Sequence, residues 1–414
     1  MRTPKTIHAV ATLVALWLAG TAVAGDASSG QRPASIIVDP AGRFAYVANL
    51  KSNDVSAYRI EPASGTLKPV AGSPFRAGTQ PVAVAVDPRA RFVYVANQLA
   101  STLSVYRADA GGALTQVAGS PFRTGTRPVS ITLDGQGKHA YVANQGSNDI
   151  SVYAIDAETG ALSQVAGSPF RGGANPRLVA LHPSQKYAYV ASNADDGIWG
   201  YRVDPVTGAL APLARSPFPA GRGAGSVTLD PSGKFAYASN QFGDSISAYR
   251  VDEASGALAA VEGSPFPTGR FPSAVSVDPS GRFAYVANFF SQSISAYRID
   301  RQSGALKAVA GAPFASRSAP VSLLIDPAGK FAYAPNRSSN DVSAFRIDAA
   351  SGALAPVAGS PFAAGREPSA SAVDPSGRFV YVANLGSNDV SSFGIDPETG
   401  ALLGSTASLR AANH

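Results

Sequence analysis

Asp39-Pro40-Ala41-Gly42-Arg43-Phe44-Ala45-Tyr46-Val47-Ala48-Asn49 is the stretch that decides the fold. Asp-Pro-Ala-Gly is turn chemistry, because the proline ring fixes φ at the second position and glycine accepts the conformation that closes the turn. Phe44 to Asn49 is rich in aromatic and β-branched residues and reads as a short strand. Upstream, Pro33-Ala34-Ser35-Ile36-Ile37-Val38 is a second short apolar run, folded back by that turn. Downstream, Lys51-Ser52-Asn53-Asp54 leads into Val55-Ser56-Ala57-Tyr58-Arg59-Ile60. Glu61-Pro62-Ala63-Ser64-Gly65 then turns into a run from Leu67 to Phe75. Four strands and three tight turns fit in under fifty residues.

The same unit recurs. Its anchor residue stands at Asp39, Asp87, Asp134, His182, Asp230, Asp278, Asp326 and Asp374, at spacings of 48 and, once, 47. No stretch in these units carries a helical period. A lone four-stranded sheet with two apolar faces cannot bury both, whereas eight in tandem can if the last meets the first. In the first strand of each unit, residues such as Ile36 and Val38 are large, and their alternate neighbours, such as Ser35, Ala83 and Ala85, are small. That asymmetry suits wedge-shaped sheets crowding an axis. The reading is an all-β, closed β-propeller of eight four-stranded blades from eight repeats of about 48 residues, spanning 33–414, with seven blades as the alternative. Seven units end in Pro-Phe, from Phe75 to Phe362, and the eighth does not. The pair is expected to steer the chain into the next blade with Phe buried under the crossing. Blade eight is expected to take all its strands from the C-terminal region, the ring closing by face packing of blade one on blade eight.

Before the repeats, Met1 to Lys5 is short and basic, Ile7 to Ala19 is apolar, and Ala22-Val23-Ala24 is a small-x-small site. This predicts a signal peptide over 1–24, cleaved after Ala24, and a periplasmic or secreted protein. Residues 25–32 read as a loose linker. The chain has 0 cysteines, which removes thiolate catalysis, disulfides and Cys-ligated metals. Taking Arg2 and Lys5 from the 34 basic residues leaves 32 against 28 acidic ones, with no basic runs. Nucleic acid is therefore not an expected partner. No later segment is long enough to span a bilayer, and a monomer is expected.

Arg43-Phe44-Ala45-Tyr46-Val47-Ala48-Asn49 and its copies, such as Tyr94-Val95-Ala96-Asn97 and Tyr381-Val382-Ala383-Asn384, resemble the repeat of the YVTN propellers. These belong to the lactonase-like propellers, a group that includes 6-phosphogluconolactonase and carboxymuconate-lactonising enzymes and mostly has seven blades. The resemblance implies a Gly-Pro-Arg-His stretch before a Phe-His-Pro anchor, then Val-Asn-Glu. Here the matching stretches are Asn175-Pro176-Arg177-Leu178, Leu181-His182-Pro183 and Ala191-Ser192-Asn193. Arg177 and His182 match; the implied His falls on Leu178 and the implied Glu on Asn193. A second implied His is replaced within Arg127-Pro128-Val129-Ser130. Lactone opening needs a proton-transfer group and a cation for the developing anion. Arg177 supplies the cation, and Asp195 and Asp196 are the nearby carboxylates for a lactonase reading.

Two histidines in separate units, His139 and His182, make no metal triad. Metals and cofactors are not expected, and His182 reads as a turn-anchor variant. Arg32, Arg127, Arg222, Arg270 and Arg366 lie just before first strands, with Arg177 slightly deeper. Ring closure is expected to gather them at one mouth of the channel, where guanidinium groups suit an anionic small molecule or an acidic protein segment. Unit four (Arg177, His182, Ser192, Asp195, Asp196, Trp199), Gly221 to Gly225, and Phe289-Phe290 depart from the repeat, which flags a candidate site between blades four and six. The expected function is an exported binding or interaction scaffold. The alternative is a lactonase-like hydrolase opening small anionic lactones.

Overall fold

A computed structural model describes residues 32–404 and 409–410. The expected signal peptide, its cleavage site and the linker up to Gln31 lie outside the described residues. The described residues form eight antiparallel sheets, one per repeat, and no helix. In blade one, Pro33–Val38 is innermost, followed by Phe44–Asn49 and Asp54–Ile60. The fourth strand corrects the sequence reading. It is two short pieces, Leu67–Pro69 and Phe75–Arg76, both on the third strand, the first pairing near Ile60 and the second with Asp54 and Val55. Every blade repeats this split.

Pro-Phe therefore does not mark a crossing into the next blade. Phe75 is half-buried and belongs to the outer strand. The last blade forms the same pairing without Pro-Phe, through Leu409–Arg410 on Asp389 and Val390. Blade eight thus takes all its strands from the C-terminal region, as expected.

Each anchor aspartate works as the turn reading requires. Asp39 Oδ1 accepts the Phe44 amide at 2.8 Å, and the Gly42 amide donates to the Asp39 carbonyl at 2.9 Å. The core lies between blades, in eight apolar clusters that each join two neighbours. One of them puts Ile36 and Val38 of blade one against Ala370 and Ala372 of blade eight, with Phe379 and Tyr381 beneath. Large residues of one inner strand thus face small residues of the preceding one, and the ring closes by face packing. A buried aromatic side chain contributes about 2–3 kcal/mol through the surface it removes from water.

Polar contacts repeat around the ring and cross the same seam. The Tyr189 hydroxyl donates to the Gly256 carbonyl at 2.7 Å, and Tyr381 of blade eight donates to Gly65 of blade one at 3.0 Å. The residue before each inner-strand proline has positive φ, from Arg32 (49°) to Glu367 (53°). At most of these positions the amide donates to a side chain in the preceding blade's second loop, as in Gln80 to Asn53 at 2.8 Å; in blade five Gly223, which precedes Ala224, does the same to Asp196 at 2.6 Å. Arg32 makes the same bond to Asn388 at 2.9 Å. Expected to end a loose linker, Arg32 is instead part of the closure.

Candidate functional site at the linker rim

The inter-blade linkers and the second-to-third-strand loops share one rim. The residue after each repeat asparagine, or after Ser192 in blade four, donates its amide across to the residue before the inner strand, as in Gln98 to Gln80 at 2.7 Å and Gln145 to Arg127 at 2.9 Å. Each blade thus presents two residues, side by side, at the end of its innermost hairpin. Contacts between successive inner strands set these pairs around one mouth.

Blades two to five fill these positions mainly with amides. Gln145 Nε2 donates to Asn175 Oδ1 at 2.6 Å, from blade three to blade four. Asn193 Nδ2 donates to Gln241 Oε1 at 3.2 Å, from blade four to blade five. Gln98 and Gln241 are buried against their neighbours. Arg177 stands two residues past Asn175, where the inner strand of blade four bulges: Pro176 pairs with Ser192 and the next register pair is Val179 with Val190. A bulge re-aims side chains. Burial pushes the Arg177 guanidinium below its ordinary pKa, although a guanidinium stays protonated at neutral pH.

The lactonase-type set does not assemble. His182 ends the strand that Arg177 begins, five extended residues or roughly 16 Å away, on the opposite rim. Its Nε2–H donates to the Gly233 carbonyl of blade five at 2.8 Å, and Nδ1 accepts from Ser184 Oγ at 2.7 Å. Both ring nitrogens are engaged, as a turn anchor requires. Asp195 Oδ2 accepts the Ala174 amide at 2.6 Å and Trp199 Nε1–H at 3.1 Å. Asp196 is the inter-blade clamp onto Gly223. Both carboxylates thus serve as acceptors within the rim.

The arginines gather at the rim by backbone position, but not in one role. Arg32 and Arg127 occupy the positive-φ clamp position, and Arg222, Arg270 and Arg366 stand one residue earlier and are exposed. Arg366 Nη2 donates to the Gly386 carbonyl at 3.2 Å. Arg366 also lines a cavity of about 460 Å³ with Arg337, Ser338, Asn340, Glu367 and Gly386, where Arg337 pairs with Glu367 at 3.7 Å. Among the described residues no group of three His, Asp or Glu side chains is placed to hold a metal ion.

Two irregular residues of unit four, Ser192 and Trp199, form one repacking. Ser192 replaces asparagine and Trp199 replaces serine; a Cβ on Gly173 would lie 2.0 Å from Ser192 Oγ and 2.1 Å from Trp199 Nε1. Glycine there clears space for the indole, over which Arg171 stacks at 5.0 Å. The amide arc is not legible in the sequence, because its hydrogen bonds join residues of different repeats. Its signal is the residue after the repeat asparagine, or after Ser192 in blade four: Gln98, Gln145, Asn193, Gln241.

The family model described as "Lactonase, 7-bladed beta-propeller" matches residues 27–221, 165–318 and 309–413. Among solved structures, a candidate 6-phosphogluconolactonase from Bacteroides uniformis is 21% identical, covering 78% of this chain and 95% of its own, with a TM-score of 0.62. The periplasmic gluconolactonase of Pseudomonas aeruginosa is 23% identical over 87% and 93%, with a TM-score of 0.56. Sqt1 of Chaetomium thermophilum is 13% identical over 86% and 94%, with a TM-score of 0.64. At these identities the likeness is one of fold. No curated protein matches the chain.

Proposed function

Because the chain belongs to the family of lactonase propellers, with eight blades in place of seven, we propose that it is an exported member that binds a small hydroxylated anion rather than hydrolysing a lactone. The observation that carries this is the amide arc around Arg177. Amides donate to and accept from hydroxyl groups, and a half-buried guanidinium binds a carboxylate more strongly than one in open solvent. Leu178 and Asn193, where the resemblance puts an acid–base pair, carry no proton at neutral pH that they can exchange. Gluconate is the probe that the names of the neighbouring structures suggest.

The test is calorimetric titration of the purified chain with sodium gluconate, beside hydrolysis of glucono-δ-lactone against its spontaneous rate. Gluconate is expected to bind with no hydrolysis above that rate. Arg177→Gln is expected to weaken binding at least tenfold, about 1.4 kcal/mol. Turnover that disappears in Arg177→Gln would assign the hydrolase instead.

A further inference from the structure

Four phenylalanines meet on the linker rim across blades five and six. Phe271 is central, with ring centroids 6.0 Å from Phe242, 6.1 Å from Phe289 and 5.1 Å from Phe290; Phe289 and Phe290 are 5.2 Å apart. Phe242 and Phe290 are 55% and 53% exposed. At the register position of these two, blades three, four, seven and eight carry Gly146, Ala194, Ser338 and Gly386. The cluster also rests on conformations that oppose it. Phe271 has φ of 55°, in a region that bulky residues rarely enter, and its amide is held by Asp244 Oδ1 at 2.8 Å. Gly223 leaves room for Phe242, whose ring would lie 2.5 Å from a Cβ there.

Each exposed phenylalanine faces an arginine. The Phe242 amide donates to the Arg222 carbonyl at 3.1 Å, and the Phe290 amide to the Arg270 carbonyl at 3.2 Å. Both arginines are exposed, and neither guanidinium has an ion-pair or hydrogen-bond partner among the described residues. Of the loop carboxylates here, one oxygen of Asp196 accepts the Gly223 amide and one oxygen of Asp244 the Phe271 amide. Two adjacent blades therefore present the same Arg/Phe pair.

We propose that this patch docks an acidic polypeptide segment, with an aliphatic or aromatic side chain seated among the phenyl rings and carboxylates on Arg222 and Arg270. Aromatic residues and arginine are enriched at protein interfaces and dominate their energetics, and an exposed apolar cluster on a soluble domain marks an interaction site. The rings stand at 60–83° to one another, forming a pocketed surface for side chains and no flat platform for stacking a sugar. Unpartnered cations at the edge select acidic segments over basic ones.

The probes are two fluorescein-labelled peptides with the same apolar residues, Asp-Leu-Asp-Phe-Asp-Leu-Asp and Lys-Leu-Lys-Phe-Lys-Leu-Lys, titrated with the protein lacking residues 1–24. The acidic peptide is expected to bind at least tenfold more tightly than the basic one, and less tightly as salt is raised. The Phe242→Ser/Phe290→Ser and Arg222→Gln/Arg270→Gln variants are each expected to lose at least tenfold, with far-UV circular dichroism and gluconate affinity unchanged. Failure of the acidic peptide to bind, or equal binding by the variants, overturns the proposal. So does sedimentation showing that the patch holds a second copy of this chain, or flotation with anionic vesicles that the Phe variant abolishes.

Discussion

Gly65 lies in the blade-one turn that Phe379 of blade eight packs against; a Cβ there would fall 2.2 Å from the ring, and its φ is +70°. Both facts exclude a side chain, one by space and one by backbone. Gly65→Ala is therefore expected to lower the free energy of unfolding by roughly 2–4 kcal/mol, combining left-handed strain with overpacking. Gly404→Ala, with nothing within 4 Å, is expected to stay within about 0.5 kcal/mol. Urea denaturation of both variants checks the contrast. The sequence shows Gly65 only as a turn residue, because the ring that forbids a Cβ belongs to another blade. Arg32 was readable as a rim residue, but not as a backbone clamp, since φ carries no mark in composition. The separation of Arg177 from His182 was legible, as five residues of one strand cannot bring its two ends together. Phe289 and Phe290 stood out as neighbours in sequence, whereas Phe242 and Phe271 reach them only through the fold.

The strand that departs most from its sequence reading is the outermost. Ser-Pro before Phe breaks the strand pattern locally, so the pairing of Phe75 with Val55 is invisible until the third strand is in place. The split gives the two halves unequal weight. Leu402, in the first half of the last outer strand, is buried in the cluster between blades seven and eight. Leu409–Arg410, the second half, pairs with Asp389 and Val390. A chain ending at Ala401 is expected to lose about 2–5 kcal/mol, the range for removing a buried leucine. A chain ending at Gly404 is expected to lose less than half as much. Thermal and urea unfolding of the two truncations measure the difference, and equal losses would mean that the second half anchors the blade.

For the whole molecule, the period of 48 residues and the large-against-small inner strands were sufficient for the ring, because blade number follows from repeat count and closure from self-complementary faces. The rim's chemistry was less legible, since each contact there joins residues from different repeats. The seam between blades eight and one carries all three devices found around the ring: an apolar cluster, a tyrosine on a glycine carbonyl, and an amide clamp. It lacks only a covalent link. Elsewhere three residues, such as Ala77-Gly78-Thr79, separate the end of one outer strand from the clamp residue of the next blade. Joining Arg410 to Arg32 through a copy of those three, and opening the chain between Gly78 and Thr79, is expected to give a protein with the parent's circular dichroism and a melting temperature within a few degrees. Failure of that circular permutant to fold would show that the junctions are not equivalent. If it folds, the order in which the blades are synthesised is a convention of the gene, and any blade can serve as the first.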